Sequence, residues 1–126
     1  MEDLFYAPDL LERLEGLDPD GLDSLPFGVV AMTTDGNVTG YNEAEASLSG
    51  LTPSRVIGRH FFTSVAPCTN NYLVAQRFET ESALDLTIDY VFTLRMAPTP
   101  VHLRLLKHPD ASRMYLVVRR RDDAAA

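Results

Sequence analysis

The chain has 126 residues, of which 45% are hydrophobic, 23% charged and 9% aromatic, the balance of one globular domain and not of a disordered or fibrous chain. A core of this size buries roughly two-thirds of the unfolded chain's surface, so neither disulfides nor a structural metal are required to hold it together. Eleven Lys and Arg against eighteen Asp and Glu leave a net charge of −7, a surface that repels phosphate backbones and argues against nucleic acid as a partner. The start, Met1-Glu2-Asp3-Leu4-Phe5, is acidic where a signal peptide is basic, and no run approaches the roughly 18 apolar residues of a membrane span. The expectation is a cytoplasmic protein with no membrane partner.

Leu10, Leu11, Leu14 and Leu17 fall at i, i+1, i+4 and i+7, which predicts a short amphipathic helix over Pro8–Leu17 with Pro8 tolerated in its first turn. Asp18-Pro19-Asp20-Gly21 is expected to stop that helix, and Leu22–Leu25 to add another helical turn before Pro26. Residues 1–25 therefore read as an N-terminal helical cap, 26–120 as the core and 121–126 as a disordered tail. Phe27–Met32 and Val38–Tyr41 flank Thr33-Thr34-Asp35-Gly36-Asn37, where Asp-Gly supplies the positive φ of a tight antiparallel hairpin. Asn42, followed three residues later by Glu45, resembles a capping box opening a short helix that Gly50 is placed to end.

Thr52-Pro53 restarts a second short helix. Phe61–Asn71 reads as irregular around Pro67, and Tyr72–Glu79 as one more helix. Leu84, Leu86, Ile88, Tyr90, Phe92, Leu94 and Met96 alternate with Asp85, Thr87, Asp89, Val91, Thr93 and Arg95, the pattern of a long half-buried strand. Ala97-Pro98-Thr99-Pro100 is expected to break it, with further strands at Val101–Lys107 and Met114–Arg119 across the turn at Pro109-Asp110. The order is that of an α+β domain, a five-stranded antiparallel sheet with short helices segregated to one face.

The histidines do not form a metal site. His102 and His108 share a strand face, but six residues at about 3.3 Å each put them roughly 20 Å apart, and His60 precedes Cys68 without helical continuity. Cys68, the one cysteine, is either a buried hydrophobe or a nucleophile with His60 as its base; neither the caspase nor the papain signature surrounds it. Glu45 fits an N3 capping glutamate ionised at the surface, Tyr41 a strand-end aromatic, and Phe61, Phe62 and Met96 core or loop anchors. Taken singly, none of these residues points to an activity.

Taken together they do. The segments Phe27-Gly28-Val29-Val30, Asp35-Gly36-Asn37, Tyr41-Asn42-Glu43-Ala44-Glu45, Val56-Ile57-Gly58-Arg59-His60-Phe61-Phe62, Val65-Ala66-Pro67-Cys68-Thr69 and Met96-Ala97-Pro98-Thr99 resemble the photoactive yellow proteins in order and nearly in spacing. The similarity spans about Leu22 to Arg120. It implies a PAS-like single domain and a blue-light photoreceptor, not an enzyme, that carries p-coumaric acid (4-hydroxycinnamic acid) as a thioester.

On that resemblance Cys68 supplies the sulfur, Tyr41 and Glu45 donate hydrogen bonds to the phenolate, and Ser49 supports Tyr41. The segment Phe61, Phe62, Val65, Ala66, Pro67 and Thr69 wraps the chromophore tail, and Leu51, Phe92, Arg95 and Met96 complete the surroundings. Light then isomerises the group from trans to cis, Glu45 hands over its proton, and release of the cap signals to a downstream protein whose identity the resemblance leaves open. Met96 stands where a family methionine assists the thermal return, and a monomer or weak dimer is expected.

The departures from the family pattern are specific. Leu51 replaces an arginine that covers the phenolate end. Arg95 is a candidate substitute, although strand alternation aims it away from the apolar face. Ser49 replaces a threonine, Tyr115 a tryptophan, and the loop from Cys68 to Tyr90 is shorter. Two other readings stay open: a PAS-type ligand-sensing or protein-interaction module with an unmodified cysteine, and a cysteine-dependent acyl-transfer enzyme.

Overall fold

Five strands, β1 (Gly28–Met32), β2 (Val38–Tyr41), β3 (Leu84–Phe92), β4 (Thr99–Lys107) and β5 (Met114–Arg120), pair antiparallel in the order β2-β1-β5-β4-β3. The computed structural model describes residues 3–93 and 98–121. The β1–β2 connection takes its reversal at Gly36, whose φ of 90° suits glycine. A Cβ at Gly36 would lie 2.7 Å from His60 Nε2, so the turn also needs a glycine to admit that ring.

Five short helices accompany the sheet: α1 (Leu10–Glu15), α2 (Pro19–Asp23), α3 (Glu43–Ser49), α4 (Pro53–Val56) and α5 (Ala75–Thr80). Single 3-10 turns occur at Leu4–Tyr6 and Pro67–Thr69, and a π-helical turn at Phe61–Val65. α1 is shorter than the predicted Pro8–Leu17: it ends at Glu15 with Gly16 as its C-cap, ahead of the predicted stop at Asp18-Pro19. Asp18 Oδ1 accepts from the Gly21 N–H at 2.8 Å and Pro19 takes the first position of α2, so the predicted stop is instead a start, and α2 takes in Leu22 and Asp23 of the turn expected at Leu22–Leu25. The helix predicted from Tyr72 begins only at Ala75. Asn71 Oδ1 accepts the Leu73 and Val74 N–H groups at 3.0 and 3.2 Å and closes a turn there, and Val74, at φ −123° and ψ −73°, separates that turn from the helix.

The helices are not segregated to one face. β1 is buried along its whole length because both faces of the sheet are covered. Val30 and Met32, with Leu103, Leu105, Leu116 and Val118, look toward α3, α4, α5 and the Phe61–Thr69 segment. Val29 and Ala31, with Leu106, Tyr115 and Val117, look the other way and are covered by Phe5, Ala7, Leu10, Leu14 and Leu22 of the N-terminal segment. Strand alternation thus divides the core into an inner layer that holds the candidate site and an outer layer that holds the cap.

β3 is an edge strand of nine residues whose inward side chains, Leu84 to Tyr90, are only half-buried. It ends at Phe92; the predicted continuation through Leu94 and Met96 lies outside the described residues. Thr99-Pro100 does not interrupt the sheet but opens β4, Pro100 facing Val91 near the strand start where a missing N–H is tolerated. Most of the predicted tail, residues 122–126, also lies outside the described residues.

Candidate functional site

Helix α3 buries a polar face. Asn42 caps it, its Oδ1 accepting the Glu45 N–H at 3.1 Å, and Gly50 ends it in the left-handed conformation at φ 79°. Between those signals the residues of α3 that are fully buried are Glu45 and Ser49, one helical turn apart and so on the same side. Glu45 is 0% exposed. Its carboxyl does not return to the backbone as an N3 capping glutamate would, and among the described residues neither oxygen is placed in a hydrogen bond. Burial disfavours the charged form and pushes its pKa up from 4.5 to about 8, so the group is protonated at neutral pH.

Tyr41 ends β2 beside this carboxyl. Its hydroxyl donates to Ser49 Oγ at 2.8 Å, and Ser49 Oγ also accepts the Leu51 N–H at 3.1 Å. Burial, followed by the nearby Glu45 charge, holds the Tyr41 phenol well above its ordinary pKa. Two neutral O–H groups therefore meet in one layer of the core where ordinary packing would place leucines, and Leu51 is partly buried against the same layer. Such a site can donate to an anion, and its carboxyl can release a proton.

Cys68 packs against the same layer. Phe61 and Phe62 stack edge-to-face at 5.3 Å, and with Val65 and Ala66 they are buried in the inner core, against which Cys68 is half-buried. Thr69 is fully buried, its hydroxyl donating to the Ala66 carbonyl at 2.7 Å. Pro67 is exposed; its role is to open the 3-10 turn that carries Cys68. Phe92, on β3, is buried in this layer and meets the Tyr90 ring edge-on at 6.1 Å. Arg95 and Met96 lie outside the described residues, so the proposed replacement for the missing arginine is not located.

Four further residues bear on the site, and none was assigned a role in it from the sequence. Gly28 on β1 has no room for a side chain, since a Cβ there would collide with Glu45 Oε1 and lie 3.1 Å from Glu45 Cβ. Tyr90 Oη donates to the Cys68 carbonyl at 2.5 Å, and Asn71 Nδ2 donates to Tyr90 Oη at 2.6 Å and to the same carbonyl at 3.2 Å, tying the cysteine's backbone to the edge strand.

The fourth is Asn42, anticipated only as a cap. It is 1% exposed, accepts the Val29 N–H at 2.8 Å and donates through Nδ2 to the carbonyls of Leu22 (2.8 Å) and Phe27 (3.0 Å). One amide thereby joins the site helix, the central strand and the N-terminal cap. The close-approach glycine carried a weak signal in its position at a strand start; the other contacts carried none.

The histidines stay apart, His102 against Asp89 at 2.7 Å and His108 beside Asp110 at 3.7 Å. Among the described residues no group of three or more His, Cys, Asp or Glu could hold a metal. Nor, among them, is any helix long and apolar enough to cross a membrane.

Residues 20–121 match the PAS fold family. The photoactive yellow protein of Rhodobacter capsulatus is 31% identical over 123 residues, covering 95% of this chain and 99% of that one. That of Halochromatium salexigens is 35% identical over 106 residues, covering 82% and 85%. Among solved structures, the photoactive yellow protein domain of the sensor histidine kinase Ppr from Rhodospirillum centenum superposes with a TM-score of 0.80 at 38% identity, covering 87% of this chain and 99% of that domain. A PAS domain of an HTR-like protein from Haloarcula marismortui shares the fold alone, with a TM-score of 0.63 at 17% identity. A buried acid and phenol, with a lone cysteine packed against the same core layer, on a PAS sheet and in a chain with these relatives, place the protein in the photoactive yellow protein family, as a PAS-type sensor.

Proposed function

We propose that the protein is a blue-light photoreceptor that holds a p-coumaroyl group as a thioester on Cys68. The observation that carries this reading is the Glu45 carboxyl, wholly buried beside the Tyr41 phenol and, among the described residues, with neither oxygen in a hydrogen bond. A buried polar group without a partner is costly, and one beside a buried phenol is the donor set that a phenolate held away from water requires. The residues present therefore fit the group: Cys68 for the acyl carbon, Tyr41 and Glu45 for the phenolate oxygen, and Phe61, Phe62, Val65, Ala66, Thr69 and Phe92 for its apolar length. When bound, the p-coumaroyl group supplies absorption of blue light, trans-to-cis isomerisation and a phenolic oxygen able to take up a proton.

The rest is the work of the chain. Glu45 holds a proton in the dark and gives it up at its carboxyl oxygen, which leaves a carboxylate buried against Gly28. An unpaired buried charge costs several kcal/mol, against a total stability of about 5–15 for a domain of this size. The strain falls on the α3–β1 contact, and Asn42 connects that contact to the Leu22 carbonyl in α2. The cap, residues 3–23, is the element that leaves, and its departure is the signal. A relative of this chain occurs as a domain of a sensor histidine kinase, which supports a downstream signalling protein as the receiver.

The test is reconstitution of the full chain with an activated ester of p-coumaric acid, followed by visible spectroscopy and intact mass. A stable yellow adduct of the acid less water, absent in Cys68→Ser, bleached by blue light and recovering in the dark, is expected. Absence of an adduct would leave a ligand-sensing module, and turnover of the adduct would point to an acyl-transfer enzyme; either result overturns the proposal.

A further inference from the structure

The outer face of the sheet is built around a buried cation. Arg104 on β4 is 4% exposed, and one edge of its guanidinium is taken by Asp85 of β3, Nε to Oδ1 and Nη2 to Oδ2, both at 2.9 Å. This bidentate pair fixes the plane of the group and leaves Nη1 aimed at the cap, where it donates to the carbonyls of Phe5 at 2.8 Å and Ala7 at 2.7 Å. Two more arginines from β5 and the turn before it meet the cap. Arg119 lies over the rings of Phe5 and Tyr6 and pairs with Asp3, and Arg113 stands 3.8 Å from Glu15. Between them lie Val29, Ala31, Leu106, Tyr115 and Val117, all at most 1% exposed.

The segment that covers this face has matching chemistry. Residues 3–23 carry seven acidic side chains against one basic, Arg13, with an apolar stripe of Phe5, Leu10, Leu14 and Leu22 facing the sheet. When the cap leaves, the apolar residues become a contiguous exposed patch, and Nη1 of a guanidinium still held by Asp85 loses its acceptors. Both losses call for replacement, the first by apolar side chains and the second by an oxygen.

We propose that this face is a docking surface for an acidic amphipathic helical segment of a partner protein, anchored on Arg104 and flanked by Arg113 and Arg119, and that residues 3–23 are its intramolecular occupant. The cap is then an autoinhibitory ligand. Displacing it exchanges one acidic helix for another at the same cation. This inference rests on the cap leaving the sheet, but its test needs no chromophore and so can fail independently of the photoreceptor reading.

The probe is a fluorescent peptide of residues 3–23, added to the full chain bearing Leu10→Asp and Leu14→Asp, which detach the chain's own cap without touching the sheet. Anisotropy should report saturable binding that weakens at least tenfold on adding Arg104→Met, weakens in high salt, and is lost for a peptide with Asp3→Lys and Glu15→Lys. Should the detached variant fail to fold, the unaltered chain serves. Excess peptide should then accelerate amide exchange of the chain's own residues 3–23 at least severalfold, with a scrambled peptide inert. Equal binding of the scrambled peptide, indifference to Arg104→Met, or no effect in either format overturns the proposal. So does a concentration-dependent dimer of the detached variant that excludes the peptide, because the occupant would then be a second copy.

Discussion

At Glu45 the cost of burial sets the sign of a pH dependence. The folded chain holds this proton up to about pH 8, whereas the unfolded chain loses it near 4.5. The folded state therefore binds more protons across that window, and stability falls as pH rises through it, by at most about 1.4 kcal/mol per unit, before levelling off. Denaturant titrations of the chain without the p-coumaroyl group should show this decline, and Glu45→Gln should flatten it; an unchanged decline in the glutamine variant would assign the titration to another group. Gly28→Ala should cost about 1–3 kcal/mol as overpacking, because the new methyl meets Glu45. A double-mutant cycle with Glu45→Ala should recover a large part of that loss. Capping by Asn42 and the left-handed Gly50 were readable because their partners are near neighbours in the chain. The crowding at Gly28 was not, because the atom it makes room for belongs to another element.

Among the elements, α3 is held at its start by a residue that also holds two others. Asn42→Ala removes the acceptor for the Glu45 and Val29 N–H groups and the donor to Leu22 and Phe27. A lost cap together with newly unsatisfied buried groups should cost about 2–4 kcal/mol. Native-state amide exchange should show the loss at α2 and α3 together; acceleration confined to α3 would mean that Asn42 does not couple the site to the cap. The hairpin, the ends of α3 and the alternation of β3 were legible because each repeats a local rule. The late start of α5 was not, since Val74, at φ −123° and ψ −73°, leaves the helical region just before Ala75, a departure that no local pattern announces. Helix placement on both faces also escaped the pattern: β1 is apolar at every position and says only that each face is covered, not by what.

For the molecule as a whole, the cap and the site respond to pH with opposite slopes. Burial alone would raise the Glu15 pKa, but hydrogen bonds from the Tyr115 hydroxyl at 2.6 Å and from Ser112 outweigh it and hold the carboxyl below its usual value. Arg119 does the same for Asp3. These depressed carboxylates contribute stability above the ordinary pKa and lose it as pH falls through the folded value. With Glu45 acting in the other direction, the melting temperature without the p-coumaroyl group should peak at mildly acidic pH. Tyr115→Phe should lower stability at that peak by about 1.5–3 kcal/mol and make the acid limb shallower, a change that calorimetry across the range would read. The sequence by itself determined the strands, the hairpin and the capped helix, because period and turn chemistry are properties of neighbouring residues, whereas the acid-phenol-thiol set was suggested only by the resemblance in motif order. Only the tertiary structure decided that Glu45 is buried against Gly28, that Tyr90 grips the Cys68 backbone and that Arg104 holds the cap, because each joins residues far apart in the chain whose meeting depends on sheet order and on which face each strand turns inward.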